Sequence, residues 1–251
     1  MKKIIVIPAR YASTRLPGKP LLDIAGKPMI VRVFEQASKS AVNDIIVATD
    51  DPRIEQCLRQ HDYPVCLTHA DHPSGTDRLA EVVEQLNLAD DDIVINVQGD
   101  EPLIPISVIE QVAVLLEDNA NASIATLSTP ITDIEQLQNP NVVKVIANHN
   151  GEAIYFSRAP IPWHRESTNH QDSDNLSDFR YQRHIGIYAY RASFLRAYVN
   201  WDPCSLERVE SLEQLRAIWH GHIIQVAEAI ESVPEGIDTQ DDLDKVRQLL
   251  N

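Results

Sequence analysis

The chain has 251 residues, 43% of them hydrophobic and 24% charged, and its 22 Lys and Arg against 37 Asp and Glu leave a formal net charge of −15. This composition excludes wholesale disorder and a need for disulfide or metal staples. The acidity excludes a nucleic-acid binder, which would carry a basic face, and by itself gives no hint of an anionic ligand. The three cysteines, Cys57, Cys66 and Cys204, form no C-x-x-C pair, so they read as buried small hydrophobes in a reducing cytoplasm. Lys2 and Lys3 precede an apolar run, but Ile4–Ile7 stops at Pro8, short of a signal-peptide core. No stretch approaches the ~20 apolar residues of a membrane span, so a soluble, cytoplasmic protein is expected.

In chain order, Ile4–Ile7 is an unbroken β-branched run, as expected for a strand covered on both faces. Pro28–Lys39 follows as a helix with Ile30, Val33, Phe34 and Ala37 on one stripe, then a second strand at Ile45–Ala48. Asp51-Pro52 caps another helix, a strand ends at Leu67, and a helix from about Thr76 presents Leu79, Val82, Val83 and Leu86. Ile93–Val97 is the fourth strand. Such alternation predicts a three-layer α/β/α fold around a mostly parallel sheet, with ligands outside the carboxyl ends of the strands. The second half is less regular. Val142–Ala147, Ala153–Phe156, Ile185–Tyr190 and Ile223–Ala227 read as strands, and Arg165–Arg180 as a polar, variable loop. Ser205–His220 reads as one helix capped by Ser205, and Thr239 opens the closing helix. No repeat or linker divides the chain, so one domain over 1–251 is expected.

The loop after the first strand, Pro8–Pro20, carries the sharpest chemical signal. No Asp or Glu occurs from Met1 through Leu22, while Lys2, Lys3, Arg10, Arg15 and Lys19 give that stretch +5. Arg10, Arg15 and Lys19 can surround a polyanion such as a triphosphate, with forked arginine hydrogen bonds and a lysine point charge. A solvated basic loop is the alternative. Two familiar phosphate loops are absent: Gly18-Lys19 has Ser13 where a Walker A motif needs glycine and Pro20 where it needs a hydroxyl, and no Gly-x-Gly occurs.

After the fourth strand, Gln98-Gly99-Asp100 places a carboxylate at the sheet edge, with Gly99 permitting a tight turn. Asp100 can hold Mg²⁺, which takes one or two carboxylates plus substrate phosphates, or it can simply cap the next helix. Asp238 precedes a Thr239/Asp242 capping pair and remains available to a ligand. Ser74, Gly75 and Thr76 suit a base edge or ribose, while zinc at His69 and His72 lacks a third ligand at sensible spacing. His184, Tyr188, Glu213 and Gln214 are polar groups on otherwise apolar elements, readable as core or exposed-face residues as much as a site.

The stretches Pro8–Leu21, Ile45–Asp50, Ser74–Val82, Ile95–Pro102, Tyr155–Ala159, Arg183–Tyr188 and Leu212–Arg216 together resemble the 3-deoxy-manno-octulosonate (Kdo) cytidylyltransferases over nearly the whole chain. The resemblance implies the nucleotide-diphospho-sugar transferase (Rossmann-like) fold, with a nucleotide-binding half at about 1–120 and sugar-binding and dimerisation elements mainly at about 121–227. It implies transfer of a cytidylyl group from CTP to Kdo with release of pyrophosphate, for lipopolysaccharide synthesis, by a homodimer using Mg²⁺. Arg10, Lys19 and Asp100 would be catalytic. Arg10 and Lys19 would hold the triphosphate with Ser13 and Arg15 in support, and Ser74, Gly75, Thr76 and Arg78 would lie near the cytidine. Gln98, Arg158, His184, Tyr188, Glu213 and Gln214 would line the sugar pocket, with Arg158 facing the sugar carboxylate, and Asp100 and Asp238 would ligate the metal. A relative acting on another acidic sugar or nucleotide is the near alternative. A glycosyltransferase would need an Asp-x-Asp after a strand; Asp172-Ser173-Asp174 lies in the polar loop and Asp242-Leu243-Asp244 in the last helix. A nucleotide-binding protein without catalysis is disfavoured by the intact Arg10, Lys19, Asp100 and Asp238 set.

Overall fold

In a computed structural model, residues 1–12, 16–42, 44–165 and 179–250 are described. Most of the polar stretch expected over Arg165–Arg180 thus lies outside the described residues, as do Ser13 and Arg15. The parallel part of the sheet is built by β1 (Lys3–Ala9), β4 (Asp44–Thr49), β5 (Val65–Leu67) and β6 (Ile93–Asn96), β2 (Asp23–Ile24) and β3 (Lys27–Pro28) forming a separate small hairpin. To these the second half adds β7 (Ile124–Pro130), β8 (Lys144–Ala147), β9 (Ala153–Ser157), β10 (Gln182–Arg191) and β11 (Ile224–Glu228). The order is β11-β7-β10-β6-β1-β4-β5, with the β8–β9 ribbon pairing on β10. β1 runs parallel to β4 and β6, while β10 is antiparallel to β6 and β7.

The unbroken apolar strands are explained by the layers. Ile5 and Ile7 face the cluster formed with α1 (Met29–Ala37), α2 (Pro52–Gln60) and α4 (Ile106–Asp118). Ile4 and Val6 face the opposite cluster, with α3 (Gly75–Gln85), α6 (Ala192–Tyr198) and α8 (Gln214–Trp219). Alternate side chains of one strand therefore fill two cores, the demand that gives a run rather than a period of two. α5 (Ile134–Gln138), α7 (Ser205–Glu210) and α9 (Gln240–Leu250) complete the helices among the described residues. α4 and β7 carry no expectation from the sequence. α4 begins behind Pro105 with no side-chain cap, so its start leaves no capping signal.

One expected helix is two. Ser205–His220 breaks at Ser211, which adopts φ 52°, so α7 ends at Glu210 and α8 starts at Gln214. The cap is Cys204, not Ser205: its sulfur accepts from the Glu207 amide at 3.4 Å and Glu207 Oε2 accepts from the Cys204 amide at 3.3 Å. A continuous stripe through Val209 is impossible, since Val209 is 85% exposed. Arg216 of α8 joins the halves by forking onto Glu207 at 2.7 Å and 2.5 Å, both side chains being buried. The break brings Glu213 and Gln214 to the start of a helix, where they face a cavity.

A third, smaller cluster unites the chain's ends. Leu16, Ile24 and Met29 pack with Ile237, Leu243 and Val246 of the C-terminal segment. Ile237 is wholly buried and its amide donates to the Asp100 carbonyl at 2.9 Å. The Thr239/Asp242 capping pair then starts α9, with Asp242 Oδ2 accepting from the Thr239 amide at 2.9 Å. Between the anchor and the cap, Asp238 is held at the sheet edge.

Candidate active site

The carboxyl ends of β1 and β6 meet in a cleft lined by Pro8, Arg10, Lys19, Gln98, Asp100 and Asp238. Gly99 is there because of space rather than backbone conformation. Its φ is outside the left-handed region, and a Cβ would lie 2.8 Å from the Pro8 carbonyl oxygen. The two strand ends can pass that closely only through a glycine. Gly18 does take the left-handed conformation, at φ 67°, and turns the loop into the short 3-10 segment Lys19–Leu21.

Lys19 Nζ donates to Asp100 Oδ2 at 2.6 Å and to Asp238 Oδ1 at 2.9 Å. Burial pulls the pKa of this ammonium down, but the Asp100 and Asp238 carboxylates outweigh it and hold Lys19 above its ordinary value. Lys19 is therefore charged at any working pH. Two carboxylate oxygens from residues far apart in sequence thus converge on one cation, the donor set that suits a hard divalent ion with further ligands from phosphates. Among the described residues no group of three His, Cys, Asp or Glu side chains converges for a metal, so the two carboxylates would need substrate oxygens or water to complete a shell.

Arg10 enters the same cleft and donates from Nη2 to the His72 carbonyl at 2.9 Å. Arg78 lies beneath, fully buried, with Nη2 3.1 Å from Asp50 Oδ1 and Nη1 donating to Thr68 Oγ1. Burial lowers its pKa, Asp50 opposes that, and nearby Arg10 adds to the lowering. The edge is thus more basic than a protein of −15 suggests. Directly beside it Glu101 is half-buried, with its shielded Oε2 lacking a hydrogen-bond partner, and desolvation together with Asp100 pushes its pKa up to about 8.

Pro8 and Gln98 are shared with a deeper cavity of about 290 Å³ between β6, β10, α3, α6 and α8. It is lined by Gly75, Thr76, Asn96, Tyr188, Tyr190, Tyr198, Glu213 and Gln214 among others. Ser74 caps α3, its Oγ accepting from the Asp77 amide at 3.2 Å, which presents Gly75 and Thr76 to the cavity. Thr76 Oγ1 donates to Glu213 Oε2 at 2.9 Å. Desolvation by the walls raises the Glu213 pKa, against hydrogen bonds from Thr76 and Ser74. Asn96 Oδ1 and the Tyr198 hydroxyl are buried without hydrogen-bond partners. Unpaired buried polar atoms on a cavity wall suit a ligand with many hydroxyls. Stacked rings of Tyr188, Tyr190 and Phe194, with centroids 5.5 Å and 6.0 Å apart, make the apolar side.

Of the residues expected to form a sugar pocket, Gln98, Tyr188, Glu213 and Gln214 are brought together here. His184 stands next to them, its ring 5.2 Å from that of Tyr188, and faces an adjoining groove with Glu101, Arg183 and Asp238. Its Nε2 lies 3.0 Å from Thr126 Oγ1, which also reaches the Ile187 carbonyl at 2.7 Å. With the threonine proton on that carbonyl, His184 donates from Nε2, and burial pushes its pKa down to about 3. Arg158 is not in the lining. Its guanidinium donates to the carbonyls of Glu210 at 2.7 Å, Pro140 at 2.9 Å and Ser211 at 3.5 Å. Asn96, Tyr190 and Tyr198 have no place among the site residues expected from the sequence. Asn96 alone left a signal, as a polar residue inside the apolar run Ile93–Val97.

A cytidylyltransferase family model matches residues 4–230. A 3-deoxy-manno-octulosonate cytidylyltransferase of Pseudomonas fluorescens is 58% identical, over 98% of this chain and 97% of that protein. One of Aeromonas hydrophila is 56% identical, over 100% and 99%. Among solved structures, a CMP:2-keto-3-deoxy-manno-octonic acid synthetase complexed with CTP superposes with a TM-score of 0.90 at 44% identity, covering 100% of this chain and 98% of the other. The chain belongs to the cytidylyltransferase family and, within it, to the 3-deoxy-manno-octulosonate cytidylyltransferases.

Proposed function

We propose that the protein transfers the cytidylyl group of CTP to Kdo, giving CMP-Kdo and pyrophosphate, as a cytoplasmic homodimer that activates Kdo for lipopolysaccharide synthesis. The observation that carries the reading is the junction of two unlike subsites at Pro8 and Gln98. One is a cleft with Arg10, Lys19 and paired carboxylates; the other is a cavity with polar atoms awaiting partners. An anionic triphosphate fits the first and a polyhydroxylated sugar acid the second, so the α-phosphorus would sit where they meet.

Arg10 and Lys19 bind the CTP phosphates, with Ser13 and Arg15 taking the supporting place that the family resemblance gives them. Gly75 and Thr76 at the start of α3 and Arg78 beneath serve the nucleotide. Gln98, Tyr188, Glu213 and Gln214 orient the sugar, with His184 behind Tyr188. Arg158 takes the sugar carboxylate by exchanging its 3.5 Å contact with Ser211, a residue of the cavity wall. Asp100 and Asp238 would hold Mg²⁺, which, when bound, offsets phosphate charge and orients the triphosphate. The protein's part is placement: the anomeric hydroxyl attacks the α-phosphorus in line and gives up its proton to the solution, the bond to the bridging oxygen breaks, and pyrophosphate leaves with the electron pair.

The test is pyrophosphate release with each nucleoside triphosphate crossed against Kdo and a sialic acid, with and without Mg²⁺. Release confined to CTP with Kdo is expected. Release with UTP in preference to CTP, or without dependence on Kdo, overturns the assignment.

A further inference from the structure

Arg10 reaches the phosphate cleft from the end of β1, yet its partner comes from the loop between β5 and α3. Nη2 donates to the carbonyl of His72 at 2.9 Å. A loop carbonyl is a good anchor only if the loop itself is held, and here one side chain holds it twice. Glu81, on the second turn of α3, accepts from the His69 amide at Oε2, 2.9 Å away, and the same oxygen contacts His72 Nε2. Its other oxygen accepts from Gln85 Nε2 at 2.9 Å, and Gln85 also donates to the Leu67 carbonyl at 2.8 Å, where β5 ends.

The carboxylate thus clasps the loop at both ends against a helix whose own start is fixed by Ser74. The joint is largely shielded, with side-chain exposures of 16% for Glu81 and 19% for His72. Burial alone would raise the Glu81 pKa, but hydrogen bonds from His72, His69 and Gln85 reverse that and hold it below the usual carboxylate range. A joint that stays ionised and screened from water is stiffer than an exposed pair.

We infer that Glu81, acting through His72, is a positioning residue that sets the guanidinium of Arg10 for the phosphates of CTP. The inference rests on the reading of Arg10 as a phosphate ligand. Glu81 touches no substrate in this scheme; it fixes the register of a carbonyl that fixes Arg10. A merely structural Glu81 would support α3, lower stability and leave the CTP dependence alone.

The experiment is steady-state kinetics of Glu81→Gln, Arg10→Ala and the double variant, with His72→Gln as a second way to open the joint while keeping the Glu81–His69 bond. Glu81→Gln and His72→Gln should each raise KM for CTP about five-fold, the worth of one ordinary hydrogen bond, with kcat and KM for Kdo nearly unchanged. In the Arg10→Ala background the Glu81 substitution should add no further rise. A rise in KM that multiplies with that of Arg10→Ala, or a loss of kcat with KM for CTP unchanged, overturns the positioning role. An Arg10→Ala enzyme with wild-type KM for CTP would instead overturn the phosphate assignment beneath it. All four variants are checked by thermal melting, and Glu81→Asp, which restores the carboxylate, should recover part of the KM.

Discussion

Replacing Gly99 with alanine perturbs the site at its tightest point. The added Cβ would lie 2.8 Å from the Pro8 carbonyl oxygen, 3.7 Å from Ile30 Cδ1 and 3.8 Å from Ala9 Cα. Ordinary C···O contact is roughly 3.3–3.6 Å, so the two backbones must part by about 0.5 Å. Pro8 cannot yield easily, since β1 is locked in parallel ladders to both β4 and β6. The segment after β6 moves instead, carrying Asp100, whose Oδ2 is 2.6 Å from Lys19 and whose carbonyl anchors Ile237. Misplacement by 1 Å can cost about 10²-fold in rate, so a half-ångström shift should cost on the order of ten-fold in kcat. Overpacking costs about 1–3 kcal/mol, offset in part by the lower entropy of the unfolded alanine chain, for a net loss of about 1–2 kcal/mol. Pyrophosphate release and urea denaturation measure the two effects. A variant with kcat within two-fold of the parent would show that the approach of Gly99 to Pro8 does not position Asp100.

Asp100→Asn should abolish turnover and leave the urea midpoint within a few tenths molar of the parent; retained activity would remove Asp100 from the catalytic centre. Arg216→Met strands the buried Glu207 carboxylate and should cost about 3–5 kcal/mol, while Arg216→Met with Glu207→Leu should recover most of that loss. A double variant as unstable as the single one would refute the pairing argument. His184 has a folded pKa near 3 against an ordinary 6.5, so its contribution to stability is complete above pH 6.5 and is lost as pH falls toward 3. Between pH 6.5 and 5 that loss is about 2 kcal/mol, and urea denaturation of the parent should show it relative to His184→Gln. A difference between the two proteins that does not change with pH would mean His184 is not held neutral.

Local physics wrote the first half of the fold into the sequence. Strands buried on both faces leave apolar runs, and helices between two layers leave stripes, so β1, β4 and β6 and the helices α1 to α3 were legible. The break at Ser211 was not, because a helical stripe survives a single left-handed residue on paper although the helix does not. Within the candidate site the basic loop and Asp100 were readable from charge and from place in the fold. The meeting of Asp238 with Asp100 was implied only by the family resemblance, since it depends on Ile237 burying against Leu16 and Met29 and on a hydrogen bond to the Asp100 carbonyl. Tyr190 and Tyr198 look like core aromatics in sequence, and only the cavity beside them shows otherwise. Arg158, legible as a cation, is placed by three carbonyls that no periodicity announces.

The net charge of −15 and a pair of anionic substrates are reconciled by where the charges stand. Residues 1–22 carry +5, and Glu228–Asp244 carries seven acids without Lys or Arg. These two segments meet where Asp238 and Asp100 clamp Lys19. The clamp keeps Lys19 charged and pointed into the cleft without dispersing its field into solvent. An ammonium has three donors, and two carboxylates take two, so a phosphate oxygen can become the third partner without breaking the pair. If the carboxylates that hold the lysine also take a divalent cation, as proposed, that cation offsets about half of the charge the triphosphate brings to the strand edge. A duplex nucleic acid would need a basic stripe across the surface, whereas a triphosphate needs only this edge. An acidic exterior and an anion-binding cleft are therefore compatible, and the exterior should repel extended polyanions that the cleft would otherwise attract.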